Sequence, residues 1–229
     1  MGTREESSIN LKRLDDYKTL VFDCDGVLLD SNPVKTEAFR IAVASFSAEA
    51  AEALVEYHRR HGGISRYEKF RLLREQMWPV GSAPPPMDEL LARFQAGVVK
   101  GLLECPMAPG LDALRAATPD HVWMVVSGGD QEELREVFAR RGIDSYFDGG
   151  IHGSPASKPD ILTSHIESGR LPLPGIFFGD SVFDCQSAVA AGLDFLFVSA
   201  WSELPNHQQW CRENGIETID TLAAILTHE

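Results

Sequence analysis

Positive charge is scarce in this chain. Lysine and arginine number 21 against 34 aspartates and glutamates, a formal net charge of −13. A surface of that sign makes nucleic acid and anionic membranes poor partners. Cysteine is scarce too. Cys24, Cys105, Cys185 and Cys211 are the four, no two are spaced C-x-x-C, and no histidine cluster completes a zinc pattern. They read as reduced thiols of a cytoplasmic protein. Cys24 lies between Asp23 and Asp25, whose charges raise a thiol pKa, so it is a poor nucleophile. Long apolar runs are missing; Ile176 to Phe178 is typical and far shorter than a membrane span. Residues 1–16 are polar and carry no hydrophobic signal core, which argues against secretion. There is no internal repeat, and Pro84-Pro85-Pro86 reads as a rigid loop.

What is present suffices for one large core. The 229 residues suit a core of about 150 plus an insertion of about 70. A chain of this size buries roughly 70% of its unfolded surface and needs no disulfide staple.

Short apolar runs recur at Leu20–Phe22, Val122–Val126, Gly175–Phe178 and Phe195–Val198. Each is apolar on both faces, as strands buried inside a parallel sheet are. Helical patterns separate them at Gln131–Arg141 and Ser181–Ala191, each stopped by a glycine. A helix around Gln208–Asn214, a short strand at Ile216–Ile219 and a helix over Thr221–Leu226 complete the chain. The alternation predicts an α/β core with a mostly parallel sheet flanked by helices, spanning 17–32 and 107–229. Residues 33–106 differ. They show no strand, and helical patterns cover about 33–46, 48–60, 66–77 and 87–104 after a start at Asn32-Pro33. This predicts an all-helical cap inserted after the first strand, with residues 1–16 a polar N-terminal extension.

Four motifs fall at predicted strand ends, where ligands bind in open α/β sheets. Asp23-x-Asp25-Gly26 brings two carboxylates to a turn that glycine permits. Asp23 suits a nucleophile that forms an acyl-phosphate, and Asp25 a general acid and base; a calcium loop or a solvated turn is the bland alternative. Ser127-Gly128-Gly129 offers a hydroxyl and free backbone N–H groups to a phosphate, or simply a helix cap after a tight turn. Lys158 precedes Pro159, which predicts extended backbone there, and it either projects into the site or stays on the surface. Asp180 and Asp184, four apart at a strand-to-helix junction, can share a magnesium ion, or serve as an N-cap and a solvated helix residue.

D-x-D-G-V, S-G-G, K-P and G-D-x-x-x-D, in this order, resemble the haloacid dehalogenase superfamily of phosphotransferases over essentially all of Leu20 to Leu226. The resemblance implies a Rossmann-like core and an aspartyl-phosphate at Asp23, with Asp25 as acid and base. It implies phosphoryl binding by Ser127, Gly128 and Lys158. Mg²⁺ would be held by Asp23, the Asp25 backbone carbonyl and Asp180, supported by Asp184. Members that cleave carbon–halogen or phosphorus–carbon bonds lack the second aspartate; its presence matches hydrolases and mutases of phosphate esters. Acid help to the leaving alkoxide contributes about 10²–10⁴-fold.

The insertion resembles the helical cap of the phosphoglycolate-phosphatase and β-phosphoglucomutase branch. His58 to Arg74 is locally +5, a solvated helix face or a grip on a second anionic group. Gly62-Gly63-Ile64-Ser65-Arg66 resembles that branch's substrate-specificity loop, which points to Arg66 and then Lys69 as the grip. Lys35 stands where the similar mutases carry a histidine. The expected function is Mg²⁺-dependent hydrolysis of a small phosphate monoester, a sugar phosphate or a phosphorylated carboxylate. A phosphomutase and a non-catalytic phosphometabolite-binding protein are the alternatives. The expected assembly is a monomer or small homo-oligomer, with Trp201 and Trp210 as core rather than interface.

Overall fold

The computed structural model describes residues 14–227. Strand β1 (Thr19–Phe22) is followed by four helices, α1 (Asn32–Ala44), α2 (Ala48–Arg60), α3 (Arg66–Leu72) and α4 (Met87–Glu104). The core resumes with α5 (Leu111–Ala117), β2 (Val122–Asp130), α6 (Gln131–Arg141), β3 (Gly150–Ser154) and α7 (Lys158–Glu167). It ends with β4 (Gly175–Gly179), α8 (Val182–Ala190), β5 (Asp194–Val198), α9 (His207–Asn214), β6 (Thr218–Ile219) and α10 (Ala224–Thr227).

The six strands form one sheet in the order β3-β2-β1-β4-β5-β6, and every pairing is parallel. β1 is central because Leu20, Val21 and Phe22 are fully buried on both faces. Phe22 pairs in register with Val125 on one side and Phe178 on the other, so β1, β2 and β4 end together. Asp23 follows β1 directly, and the strand order reverses there. This is the crevice position for ligands in open α/β sheets.

One sheet face packs Val21, Met124, Val126 and Phe177 beneath α7 and α8. The other packs Phe22 against Trp123 (4.6 Å between ring centroids) and Phe178 (5.0 Å). That second core runs on without a break into Phe39, Leu54, Phe70 and Phe94 of the helical insertion. The aromatic contacts Phe39–Phe94 at 4.4 Å and Phe39–Phe70 at 5.3 Å hold the insertion together. Truncating a ring such as Phe94 to alanine costs about 3–5 kcal/mol. No helix among the described residues is long and apolar enough to cross a membrane.

Several elements differ from the sequence-based expectation. β3 was not foreseen, because Gly150-Ile-His-Gly-Ser has no apolar run; as an edge strand it needs none. α5 and α7 were also missed, being only 7 and 10 residues long. Lys158 is not extended: it opens α7, with Ser157 as N-cap accepting from Asp160 N at 3.3 Å. Pro159 fits because the first helical turn has no use for its missing N–H. The stretch after α3 does not stay regular to Met77, since Leu73–Met77 widens into a π-type turn. The final helix starts at Ala224 rather than Thr221, and the last strand is only Thr218–Ile219. Of the proposed N-terminal extension, residues 1–13 lie outside the described residues. Leu14 is fully buried in the main core, so the core begins earlier than drawn. Trp201 packs half-buried against the core, while Trp210 lines a surface groove beside Phe197.

Candidate active site

Asp23 sits at the end of β1 with its backbone N–H donating to Phe178 O at 2.9 Å. The side chain is 1% exposed. Its Oδ1 accepts from Cys24 N at 2.7 Å and lies 2.8 Å from Lys158 Nζ. Burial pushes the Asp23 carboxyl up to about 7; Lys158 pulls it down, while Asp184 and Asp25 push it further up.

Asp25 is held differently. Ser31 Oγ donates to its Oδ1 at 2.5 Å and the Lys35 ammonium to its Oδ2. Burial alone would raise this carboxyl, but Lys35 and Ser31 outweigh it and leave Asp25 below the ordinary carboxylate range. Two carboxylates two residues apart thus have opposed proton affinities, the pattern of a divided acid–base role.

Gly26 makes the turn between them possible. Its φ is +78°, and a Cβ there would fall 2.1 Å from Asp180 Oδ2. Asp180 follows β4 and accepts from Asn32 Nδ2 at 2.7 Å. Burial, then Asp184 and Asp23, push its carboxyl well above the usual value. Asp184 lies in the first turn of α8. Its Oδ2 accepts from Ser181 Oγ (2.7 Å), Ser181 N (3.1 Å) and Asp180 N (3.3 Å), and its Oδ1 from Lys158. Ser181 Oγ caps Asp184 N in return at 3.2 Å, a reciprocal capping box. Lys158 therefore bridges Asp23 and Asp184. Burial opposes its charge, but the two carboxylates more than offset it and push it above the ordinary lysine value.

One oxygen from each of Asp23, Asp180 and Asp184 lies within 4.8 Å of the others, all three residues buried. Lys158 pairs with Asp23 and Asp184 and Lys35 with Asp25, whereas Asp180 has no ion-pair partner among the described residues. The hard oxygen donors of Asp23 and Asp180, brought together there, fit one divalent cation such as Mg²⁺. Asp23 and Asp180 have the free oxygens; Asp184 is already saturated with donors and supports the group from behind.

Ser127 is fully buried near the end of β2. The expected tight turn after it is instead irregular strand running to Asp130, whose side chain caps α6 at 3.1 Å from Glu132 N and Glu133 N. Ser127 Oγ accepts from Gly129 N at 3.0 Å. Gly128 faces the cap: a Cβ added to it would lie 2.2 Å from Gly63 O. The Gly62-Gly63 loop thus lies directly on the core, with Gly62 also against Ser181.

Beneath that loop, Lys35, Arg66 and Lys69 come together beside Asp25 around a narrow cavity of ≈ 30 Å³. Arg66 is not a free cation. Its guanidinium makes a two-pronged, buried pair with Glu133 of α6, with Nη1 to Oε2 at 3.0 Å, and lies 4.5 Å over the Phe94 ring. Lys69 Nζ lies 2.7 Å from His58 Nδ1. Sequence reasoning missed Ser31, Asn32, His58 and Glu133. Ser31 and Asn32 directly follow the first motif, which is a usable signal; Glu133 and His58 read as ordinary helix positions.

A family model described as haloacid dehalogenase-like hydrolase matches residues 17–192. The phosphorylated carbohydrates phosphatase of Thermotoga maritima is 26% identical over 187 residues, 79% of this chain and 84% of that protein. The fructose-1-phosphate phosphatase YqaB of Escherichia coli is 23% identical over 193 residues, 78% of this chain and 94% of that protein. Among solved structures, a Lactobacillus plantarum protein assigned as a phosphoglycolate phosphatase superposes with a TM-score of 0.69 at 22% identity, covering 91% of this chain and 97% of that one. Sheet order, helical insertion and the family match agree, and the chain belongs to the haloacid dehalogenase-like hydrolases.

Proposed function

We propose that this chain is a Mg²⁺-dependent phosphatase that hydrolyses a small phosphate monoester through an aspartyl-phosphate on Asp23. The observation that carries it is the contrast between Asp23 and Asp25. The only hydrogen-bond and ion-pair partners of the Asp23 carboxylate among the described residues, Cys24 N and Lys158, meet Oδ1, which leaves Oδ2 for in-line attack on phosphorus. Asp25 stands beside it on Ser31 and Lys35. Ionised at rest, it takes up the proton of the substrate's phosphate monoanion, passes it to the leaving alcohol, and then takes one from the water that cleaves the acyl-phosphate. Lys158 and the Ser127 hydroxyl bind the equatorial oxygens of the transferring group. Mg²⁺ held by Asp23, the Asp25 carbonyl and Asp180 would supply charge neutralisation on those oxygens. The insertion closes over the site and excludes water. The named phosphatase activities of the Thermotoga and Escherichia relatives support a sugar phosphate or similar small ester as substrate class. A phosphomutase is disfavoured, because Lys35 is spent on Asp25 where the similar mutases carry a histidine. A purely binding role leaves the Asp25 arrangement without purpose.

The test is phosphate release from p-nitrophenyl phosphate and from a panel of sugar phosphates and phosphorylated acids, with Mg²⁺ or with EDTA. Borohydride trapping during turnover should convert residue 23 alone into homoserine. Release that is indifferent to EDTA, or label on another residue, would refute the assignment.

A further inference from the structure

We propose that Lys69 and His58 form the subsite for the non-reacting end of the substrate, and that this end is a single carboxylate on the leaving alcohol. The inference rests on Asp23 as the point of phosphoryl transfer, and it names what the cap selects.

The cavity beside Asp25 is lined by three cationic side chains, and two are already committed. Lys35 pairs with the partly buried Asp25, and Arg66 with Glu133 in a fully buried pair. Lys69 is 1% exposed and has no carboxylate within ion-pair distance among the described residues. Among the described residues its side-chain hydrogen-bond partner is His58 Nδ1 at 2.7 Å. His58 is 6% exposed, and its Nε2 is buried with no hydrogen-bond partner. Burial and the neighbouring Lys69, Lys35 and Arg59 hold His58 neutral, far below its ordinary value. With Nδ1 accepting from Lys69, the remaining hydrogen sits on Nε2 as an unsatisfied donor. A buried amine that can hold a charge only beside a counter-charge, next to a buried N–H without an acceptor, is costly unless a ligand completes both. One carboxylate does so.

The space agrees. A cavity of ≈ 30 Å³ holds about two or three waters, room for a carboxylate beside Lys69 and His58. The groups facing Lys69 are Lys35 from α1, His58 from α2, Asp25 and Asp180 from the core loops and Lys158 from α7, with the Phe39 ring 5.6 Å from Nζ. Burial first, then Lys35, pull Lys69 down to about 7. A bound anion reverses that balance, so binding a carboxylate draws a proton onto Lys69.

The experiment uses the full chain with Asp23→Asn, so that ligands bind without turnover, titrated by calorimetry with Mg²⁺ present. The probes are 2-phosphoglycolate and ethyl phosphate, which share the phosphate and differ by the carboxylate. Expected is a preference of about tenfold or more for 2-phosphoglycolate, with proton uptake at about pH 8 for that ligand only. Lys69→Met should collapse the ratio toward one, and His58→Phe should narrow it. Equal affinity for the two probes with an unaltered cap overturns the proposal, whatever the cap variants do. So does a ratio that survives Lys69→Met, or tighter binding of fructose 1-phosphate than of 2-phosphoglycolate. The ratio is independent of turnover, so absence of phosphate release by the unaltered enzyme would count against Asp23 chemistry and leave the subsite to be judged by binding.

Discussion

The carbonyl oxygen of Gly63 in the cap lies against Gly128 in the core so closely that a single methyl group at residue 128 would sit 2.2 Å from it. Gly128 therefore leaves room for the cap loop to lie on the core. Gly128→Ala should hold the cap loop off the core while the sheet stays folded. A misplacement of about 1 Å at such a site costs on the order of 10²-fold in rate. The check is kcat/KM beside the thermal midpoint: a large fall in the first with a small change in the second is expected. Near-normal turnover would mean that the cap closes in another way.

Asp23 destabilises the metal-free fold when ionised. Its carboxyl is raised from 3.8 to about 7 by burial, so the folded state favours the protonated form. Stability from this group is complete below about pH 4 and is lost as pH rises through about 7. In EDTA, Asp23→Asn should melt above the unaltered protein at about pH 8, and the gap should shrink toward pH 5. Mg²⁺ should raise the midpoint of the unaltered protein and do little for the variant. Scanning calorimetry at the two pH values decides; a gap that widens on acidification contradicts the sign.

Arg66 and Glu133 join cap to core through a buried, two-pronged pair. Removing one partner leaves the other charge buried, so Arg66→Met should cost about 3–5 kcal/mol. The double variant Arg66→Met, Glu133→Leu should recover much of that loss. Urea midpoints for the four proteins of the cycle measure the coupling. Additive losses would show that the pair contributes nothing, and would free Arg66 for the substrate role first expected of it.

Lys35 keeps Asp25 ionised. Lys35→Met removes the main influence that lowers the Asp25 carboxyl, so its pKa should rise. In the proposed mechanism hydrolysis of the aspartyl-phosphate needs Asp25 as a base, so the acidic limb of its pH profile should move upward with it. Lys35→Arg should keep the limb in place. A limb that stays put in Lys35→Met would separate Lys35 from the proton chemistry.

The sequence by itself determined the α/β class, the helical insertion and the four motifs. Strands such as Leu20–Phe22 are apolar on both faces, and cap helices such as Ala48–Arg60 carry their own start signals, so local pattern and tertiary position agree there. It also identified Asp23, Asp25, Lys158, Asp180 and Asp184 as chemistry-bearing, because each stands at a strand end or helix start. Only the tertiary structure decided how their charges are shared. That Lys158 meets Asp184 26 residues away and that Arg66 meets Glu133 67 residues away depend on elements distant in sequence, and that Lys35 of the first cap helix is spent on Asp25 depends on how the chain turns between them. A side chain's pKa and availability come from burial and from partners that only the folded chain supplies, and no local periodicity encodes them. For the same reason the cationic stretch from His58 to Arg74 reads as one patch in sequence, whereas the fold buries Lys69 with no carboxylate partner among the described residues.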